Sequence, residues 1–198
     1  MNMHHKILFT ESEIQKRISE LAKEIDSYYR SDDLYSTSNQ PLLIVSILSG
    51  SVFFAVDLVR QLSIGVELEF VKVSTYPDGQ TIAQDPKIVV PLSRKRLHDV
   101  CILLIDDILD TGVTLNAIKN QVAWPYRDNV KSAVLLKKNT IKPQIQSADF
   151  VGFEIPDVFV YGYGLDLGGL QRELPHIVSC DDCEIKDEEI GVEWTQKR

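Results

Sequence analysis

Carboxylates and hydroxyls near the middle of the chain have a spacing that suits a phosphorylated sugar. Residues 100–114 begin as a short apolar run typical of a buried strand, which stops at Asp106 and Asp107. A small-residue loop follows and leads into a helix, so its main-chain N–H groups and the helix dipole face an anion. Thr111 and Thr114 add hydroxyl donors to that loop. Asp106 and Asp107 are suited to bind sugar hydroxyls or a hydrated magnesium ion.

Asp110, between the acid pair and the loop, has two alternative roles. Acids at the end of a strand often do no more than cap the next helix, and Asp110 would make a good N-cap. It also lies close enough to a bound sugar to act as an acid or base. The residues alone leave both roles open.

A second strand, turn and helix occur nearer the N-terminus. Residues 41–48 predict a buried strand that breaks at Ser49 and Gly50, and apolar residues with helical spacing follow. This turn is also able to lie against an anion. Many strand–helix turns have the same composition without binding a ligand, so the pattern by itself identifies none.

Three further segments are expected to position polar side chains. Residues 10–13 fit a capping box for an amphipathic helix that we expect to end before residue 30. Residues 66–73 predict a half-exposed strand. Residues 130–136 predict a buried strand that delivers Lys137 and Lys138 at its C-terminal end. Open parallel sheets bind ligands at that edge.

Bulk properties indicate a single α/β domain and exclude several classes. The chain has 198 residues and a net charge of −8, which argues against a nucleic-acid-binding protein. It has no apolar run long enough to cross a membrane and no apolar signal core at the N-terminus. Three cysteines do not make a disulfide framework. We therefore expect a cytoplasmic protein with no membrane partner.

Two motifs carry a resemblance to a known family. The strand with its acid pair, followed by Asp-Thr-Gly and another Thr, closely resembles the fingerprint of type I phosphoribosyltransferases, which bind phosphoribosyl pyrophosphate. Residues 149–157 (DFVGFEIPD) and 159–163 (FVYGY) resemble the hypoxanthine-guanine phosphoribosyltransferases. The resemblance spans roughly residues 10–178. It implies one phosphoribosyltransferase domain over residues 1–198, with a tail at 179–198. It also implies a twisted, mainly parallel sheet flanked by helices, under a small hood.

The resemblance also implies an activity. The enzyme would transfer the 5-phosphoribosyl group to N9 of hypoxanthine or guanine with Mg²⁺, giving IMP or GMP and pyrophosphate. A xanthine-preferring enzyme is one alternative. Another is a regulator that senses phosphoribosyl pyrophosphate and binds nucleic acid, although the acidic charge, Asp110 and Lys138 all argue against it. The family usually forms homodimers or homotetramers.

Each site residue receives a role from the resemblance. Asp110 would be the general base, and Thr75 and Tyr76 would belong to a lid that excludes water. Arg172 would join Ser49 and Gly50 at pyrophosphate, beside a cis peptide near Leu48–Ser49 or Ser49–Gly50. Many relatives carry a basic residue where this chain has Ser49. The ribose and 5′-phosphate would contact Asp106, Asp107, Asp110, Thr111, Gly112, Val113 and Thr114; the purine would contact Lys138, Phe159, Val160 and Asp166; the metal would be held by Asp106, Asp107 and Asp166.

The last segment has no counterpart in the resemblance. Cys180 and Cys183 have the spacing of half a zinc site, but no second pair of ligands follows them. An exposed acidic tail is the favoured interpretation of residues 179–198.

Overall fold

The computed structural model describes residues 5–38, 40–74, 87–90, 100–122, 129–141 and 143–180. These residues form nine strands and four helices. In chain order they are β1 (His5–Phe9), α1 (Glu11–Ser31), α2 (Asp33–Ser38), β2 (Leu42–Leu48), α3 (Val52–Val59), β3 (Val66–Ser74), β4 (Lys87–Val90), β5 (Ile102–Leu109), α4 (Val113–Val122), β6 (Val130–Asn139), β7 (Phe150–Pro156), β8 (Phe159–Tyr161) and β9 (Ile177–Cys180).

Two sheets make up the architecture. The larger sheet has the strand order β4-β3-β2-β5-β6-β7. Strands β2, β3, β5, β6 and β7 run parallel, and the edge strand β4 is antiparallel to β3. The smaller sheet, β1-β9-β8, is antiparallel and forms a hood from the two terminal segments. The predicted fold class, a mainly parallel sheet flanked by helices with a small hood, is confirmed.

Alternating side chains on the central strands bury both faces of the large sheet. Leu42, Ile44 and Leu103 share one apolar cluster with buried residues of α1 and α3. Leu43 and Leu104 belong to a second cluster, to which α4 contributes buried side chains. Strands covered on both sides need apolar residues throughout, which explains the unbroken runs of Leu, Ile and Val.

Helix α1 follows from its capping box and its apolar stripe. The Thr10 side chain accepts from the Glu13 N–H, and the Glu13 carboxylate accepts from the Thr10 N–H at 2.8 Å, as predicted. The helix is longer than predicted, since it ends at Ser31 and not before Arg30. Buried Tyr29 anchors the last turn, with its hydroxyl donating to the carbonyl of Ile102 at 3.3 Å.

The central strand continues past the point where the sequence predicted its end. Instead of stopping at the acid pair, β5 continues to Leu109 because pairing with β6 persists, with Asp106 opposite Val134 and Leu109 opposite Lys137. Asp106 and Asp107 therefore lie on a rigid strand. Asp110 directly follows it and is not the N-cap of α4, which begins at Val113.

None of the helices in the described residues is long and apolar enough to cross a lipid bilayer.

Candidate active site

The loop after β2 is held by buried hydroxyls. The Ser51 hydroxyl donates to the Ile47 carbonyl at 2.6 Å, so the Ser46 hydroxyl, 2.7 Å away, donates to Ser51. The peptide bond between Leu48 and Ser49 is cis, which confirms the first of the two predicted positions. The two hydroxyl hydrogen bonds tie the end of β2 to Ser51, directly before α3 begins.

Gly50 brings this loop directly against the acid pair. A Cβ atom added at Gly50 would overlap Oδ2 of Asp107 and would lie 2.6 Å from its Cγ. Only a residue without a side chain allows the carboxylate to sit there. Ser49 and Gly50, predicted for pyrophosphate, therefore lie beside Asp107, predicted for the ribose.

Burial dominates the electrostatics of the acid pair. It raises the pKa of Asp106, and the neighbouring Asp107 raises the pKa further. Burial also raises the pKa of Asp107, with opposition from hydrogen bonds to Asp106 and to the Ile108 N–H and from the positive charge of Arg172. Two carboxyl groups desolvated together are stabilised in their ionised form by a cation or by hydroxyl donors.

Arg172 reaches the same place from the segment after β8. Its guanidinium donates to the Gly164 carbonyl at 2.6 Å and pairs with Oδ1 of Asp166 at 2.7 Å. Gly164 has a φ of +101°, and a Cβ there would overlap the carbonyl oxygen of Gly50. Arg172 and Asp166 are thus brought to the loop that holds Ser49 and Gly50.

The loop between β5 and α4 presents a carboxylate without a partner. Oδ1 of Asp110 is buried and has no hydrogen-bond partner in the described part of the chain, which is a rare state for a buried oxygen. Gly112 has a φ of +80°, and a Cβ there would lie 2.7 Å from the Gln146 carbonyl. Thr111 accepts at its main-chain oxygen from the Ile145 N–H at 2.9 Å. The predicted phosphate loop therefore packs directly against Ile145 and Gln146.

The two lysines at the end of β6 point to different partners. Lys138 is 16% exposed and lies 3.4 Å from Oδ1 of Asp157, two residues before Phe159. Lys137 pairs with exposed Glu154 at 2.8 Å. Phe159 packs beside Tyr161 in the hood, and the Val160 side chain is buried in the main core. Lys138, the predicted purine donor, is thus directed toward the strand that carries Phe159 and Val160.

Sequence reasoning missed Gln144. Its side-chain nitrogen donates to the main-chain oxygens of both Asp110, at 3.0 Å, and Lys138, at 3.2 Å. No motif includes this residue, and a glutamine in a polar loop gives no signal of a long-range contact.

Several predicted features lie outside the described residues. They are the lid residues Thr75 and Tyr76 and the tail from residue 181, which includes Cys183. The first two residues of the predicted exposed tail, Ser179 and Cys180, are instead buried in β9, where they pair with β1 and β8. Cys180 is disulfide-bonded, so its sulfur is not free to bind zinc. Among the described residues, no group of three or more His, Cys, Asp or Glu side chains is arranged to hold a metal ion.

Comparisons with known proteins identify the class and then the family. Residues 6–167 match the family model described as "Phosphoribosyl transferase domain", the class that the fold and the acid-tipped strand define. The chain is 38% identical to the hypoxanthine-guanine phosphoribosyltransferase of Aquifex aeolicus, over 89% of this chain and 95% of the relative. It is 35% identical to that of Bacillus subtilis, over 87% and 91%. Hypoxanthine phosphoribosyltransferase of Trypanosoma cruzi, solved with the product IMP, superposes with a TM-score of 0.77 at 37% identity, covering 89% of this chain and 94% of that one. The chain belongs to the hypoxanthine-guanine phosphoribosyltransferase family.

Proposed function

We propose that this protein transfers the 5-phosphoribosyl group of phosphoribosyl pyrophosphate to N9 of a 6-oxo purine. The products would be the nucleoside monophosphate and pyrophosphate. The observation that carries the proposal is the buried Oδ1 of Asp110, which lies between the acid pair and the phosphate loop and has no hydrogen-bond partner among the described residues. Family membership and the IMP complex of the Trypanosoma cruzi relative support the same reaction.

Three segments would bind the phosphoribosyl group. Asp106 and Asp107 would accept hydrogen bonds from the ribose hydroxyls. Burial raises the pKa of both groups, and these hydrogen bonds would stabilise the ionised form that burial disfavours. The 5′-phosphate would lie on the main-chain N–H groups of residues 111–114 at the start of α4, with the hydroxyls of Thr111 and Thr114 as further donors. The side chain of Val113 is exposed, and only its main-chain N–H would contribute to this cradle.

Pyrophosphate would lie against Ser49, Gly50 and Arg172. Because Ser49 is uncharged, Arg172 would supply the positive charge of the protein at this end, and its guanidinium fork matches phosphate oxygens. Its present partner Asp166 would then be free to take another ligand. This exchange keeps each charge paired before and after substrate binding.

The family implies a divalent metal ion, and the residues present fit Mg²⁺. Mg²⁺ keeps several waters and takes one or two carboxylates together with substrate phosphates, so no three-residue cage is needed. Asp106 and Asp107 would hold it, directly or through water, with Asp166 near a second ion. The metal would supply positive charge that neutralises the departing pyrophosphate.

Asp110 would manage a proton on the purine. As the C1–O bond breaks, pyrophosphate leaves and N9 attacks C1 from the opposite face, the purine gains positive charge and its N7–H becomes acidic. Asp110 Oδ1, buried and without a hydrogen-bond partner among the described residues, would accept the N7 proton. Water must be excluded during this step, since an activated sugar is readily hydrolysed.

The base preference follows from the polarity of hydrogen bonds. Lys138 only donates, so it favours an oxygen at the purine 6-position over the amino group of adenine. Phe159 would stack on the ring, and the main chain of Val160 would bind its edge. A donor facing a donor in such a site costs about 1–3 kcal/mol.

A turnover panel with hypoxanthine, guanine, xanthine and adenine tests the proposal. We expect nucleotide formation with the 6-oxo purines, dependent on Mg²⁺, and little with adenine. Preference for xanthine would indicate the alternative specificity. Binding of phosphoribosyl pyrophosphate without turnover of any base would contradict the proposal and favour a sensor.

A homodimer or homotetramer is part of the proposal. Phe53 and Val56 of α3 and Phe70 of β3 are exposed apolar side chains. Helix α3 packs on the face of the large sheet that carries Val66 and Leu68, and the alternation of side chains along β3 directs Phe70 to that face as well. Patches of this kind often contact another subunit. Sedimentation equilibrium would measure the assembly.

A further inference from the structure

The loop after β6 joins two parts of the proposed site. One part is the phosphate loop that starts at Asp110, and the other is the end of β6 that carries Lys138. The side-chain nitrogen of Gln144 donates one hydrogen bond to a main-chain oxygen in each part, at 3.0 and 3.2 Å. Its two N–H groups match the two acceptors.

Neighbouring contacts make this bridge part of a rigid support. The Ile145 N–H donates to the Thr111 carbonyl at 2.9 Å. The main chain of Gln146 packs against Gly112, which has no Cβ and a positive φ. The segment 144–146 therefore follows the phosphate loop residue by residue, and Gln144 alone extends the contact to β6.

The bridge leaves the reacting groups free. Gln144 donates to the main-chain oxygen of Asp110, while Oδ1 of the same residue has no partner among the described residues. Gln144 likewise donates to the main-chain oxygen of Lys138, while the Lys138 ammonium group pairs with Asp157. A group that holds both main chains in this way positions two functional side chains without occupying either.

We propose that Gln144 is a positioning residue that sets the distance between the phosphate loop and the purine-binding lysine. The inference rests on the proposed function, because it concerns how one site aligns its two substrates. Alignment matters since a displacement of about 1 Å is able to cost ~100-fold in rate. Losing the bridge should weaken productive binding of phosphoribosyl pyrophosphate and purine together.

Two variants remove the bridge in different ways. Gln144→Glu keeps the shape but places carboxylate oxygens against two carbonyl oxygens. Gln144→Met keeps the length without a donor or a charge. Gln61→Glu is the matched control, because Gln61 is exposed beyond the end of α3 that is remote from Ser49 and Gly50, and the substitution adds the same charge there.

The assay measures kcat and KM for each substrate, with the melting temperature of every variant. From two lost hydrogen bonds we expect kcat/KM to fall roughly 10- to 30-fold in Gln144→Met and further in Gln144→Glu, with KM rising for both substrates. Gln61→Glu should change kcat/KM less than about 3-fold, as an exposed charge contributes little. A lower melting temperature with unchanged kinetics would indicate a merely structural residue and overturn the inference. Equal kcat/KM values for Gln144→Glu and Gln61→Glu would also overturn it. An inactive wild-type protein would instead refute the proposed function.

Discussion

Substituting Gly50 by alanine tests whether the loop after β2 and the acid pair act as one binding surface. A Cβ atom at this position would lie 2.6 Å from Cγ of Asp107 and would overlap its Oδ2. Van der Waals contact needs about 3.5 Å, so the carboxyl group must move by roughly 1 Å or more. The backbone at Gly50 has no positive φ, which means that the substitution acts on Asp107 and not through backbone strain.

The displaced atoms are the end of a side chain, so the fold should survive. Overpacking costs typically about 1–3 kcal/mol, and rotation of the carboxyl group relieves part of it. Catalysis should suffer more, because Asp107 is proposed to hold the ribose, and a ~1 Å misplacement of such a group is able to cost about 100-fold in rate. We therefore expect Gly50→Ala to keep its melting transition and to lose roughly 10- to 100-fold in kcat/KM for phosphoribosyl pyrophosphate.

Steady-state kinetics at saturating hypoxanthine, together with a melting curve, would measure both effects. Gly65→Ala is the matched control, since a Cβ at Gly65 meets no atom within 4 Å. A folded Gly50→Ala protein with the kcat/KM of the wild type would refute the reasoning. It would mean that Asp107 does not need to lie against this loop during the reaction.

Further predictions concern single side chains. Asp110→Asn should lower kcat by about 10²- to 10⁴-fold, the range of a lost general base, while calorimetry shows nearly unchanged affinity for IMP; unaltered kcat would remove Asp110 from that role. Lys138→Ala should raise KM for hypoxanthine and reduce the ratio of kcat/KM for hypoxanthine to that for adenine by roughly 10-fold or more. Lys137→Ala is the control and should change neither, because Lys137 pairs with exposed Glu154. An unchanged ranking of bases in Lys138→Ala would count against the role of Lys138. Burial, reinforced by Asp32, raises the pKa of the Cys101 thiol to about 11. The neutral form therefore persists well above pH 9, and the rate of modification by a thiol reagent, measured against Cys101→Ala, should be very slow at pH 8 and increase up to about pH 11. Rapid modification at pH 8 would contradict that environment.

The strand pattern was predictable because buried parallel strands need uninterrupted apolar runs. The runs at 41–48 and 130–136 correspond to β2 and the greater part of β6. The first strand of the hood was not predicted from the sequence. No segment near residue 5 was predicted as a strand, yet His5–Phe9 forms β1. Its partner β9 lies more than 160 residues away, and an edge strand that depends on a distant partner has little local signal.

The end of β5 shows a related limit. Two aspartates usually terminate a strand, because carboxylates are costly to bury. Here pairing with β6 continues through Asp106 to Leu109. The preference of the aspartates to end a strand was outweighed by pairing with the longer neighbouring strand β6, and both acids are therefore held on β5.

The identity of the site residues and the geometry of the site came from different kinds of information. Motifs named Ser49, Gly50, Asp107 and Arg172 as separate contacts to one ligand. Their mutual contacts depend on two positions without a Cβ, Gly50 against Asp107 and Gly164 against the Gly50 carbonyl. A motif records which residues are present but not which pairs must touch. Gln144 has no sequence signal for the same reason, since its role depends on the two carbonyl oxygens to which it donates. Substitutions of Gly50 and Gln144 therefore test the contacts within this site more directly than removal of its charged groups.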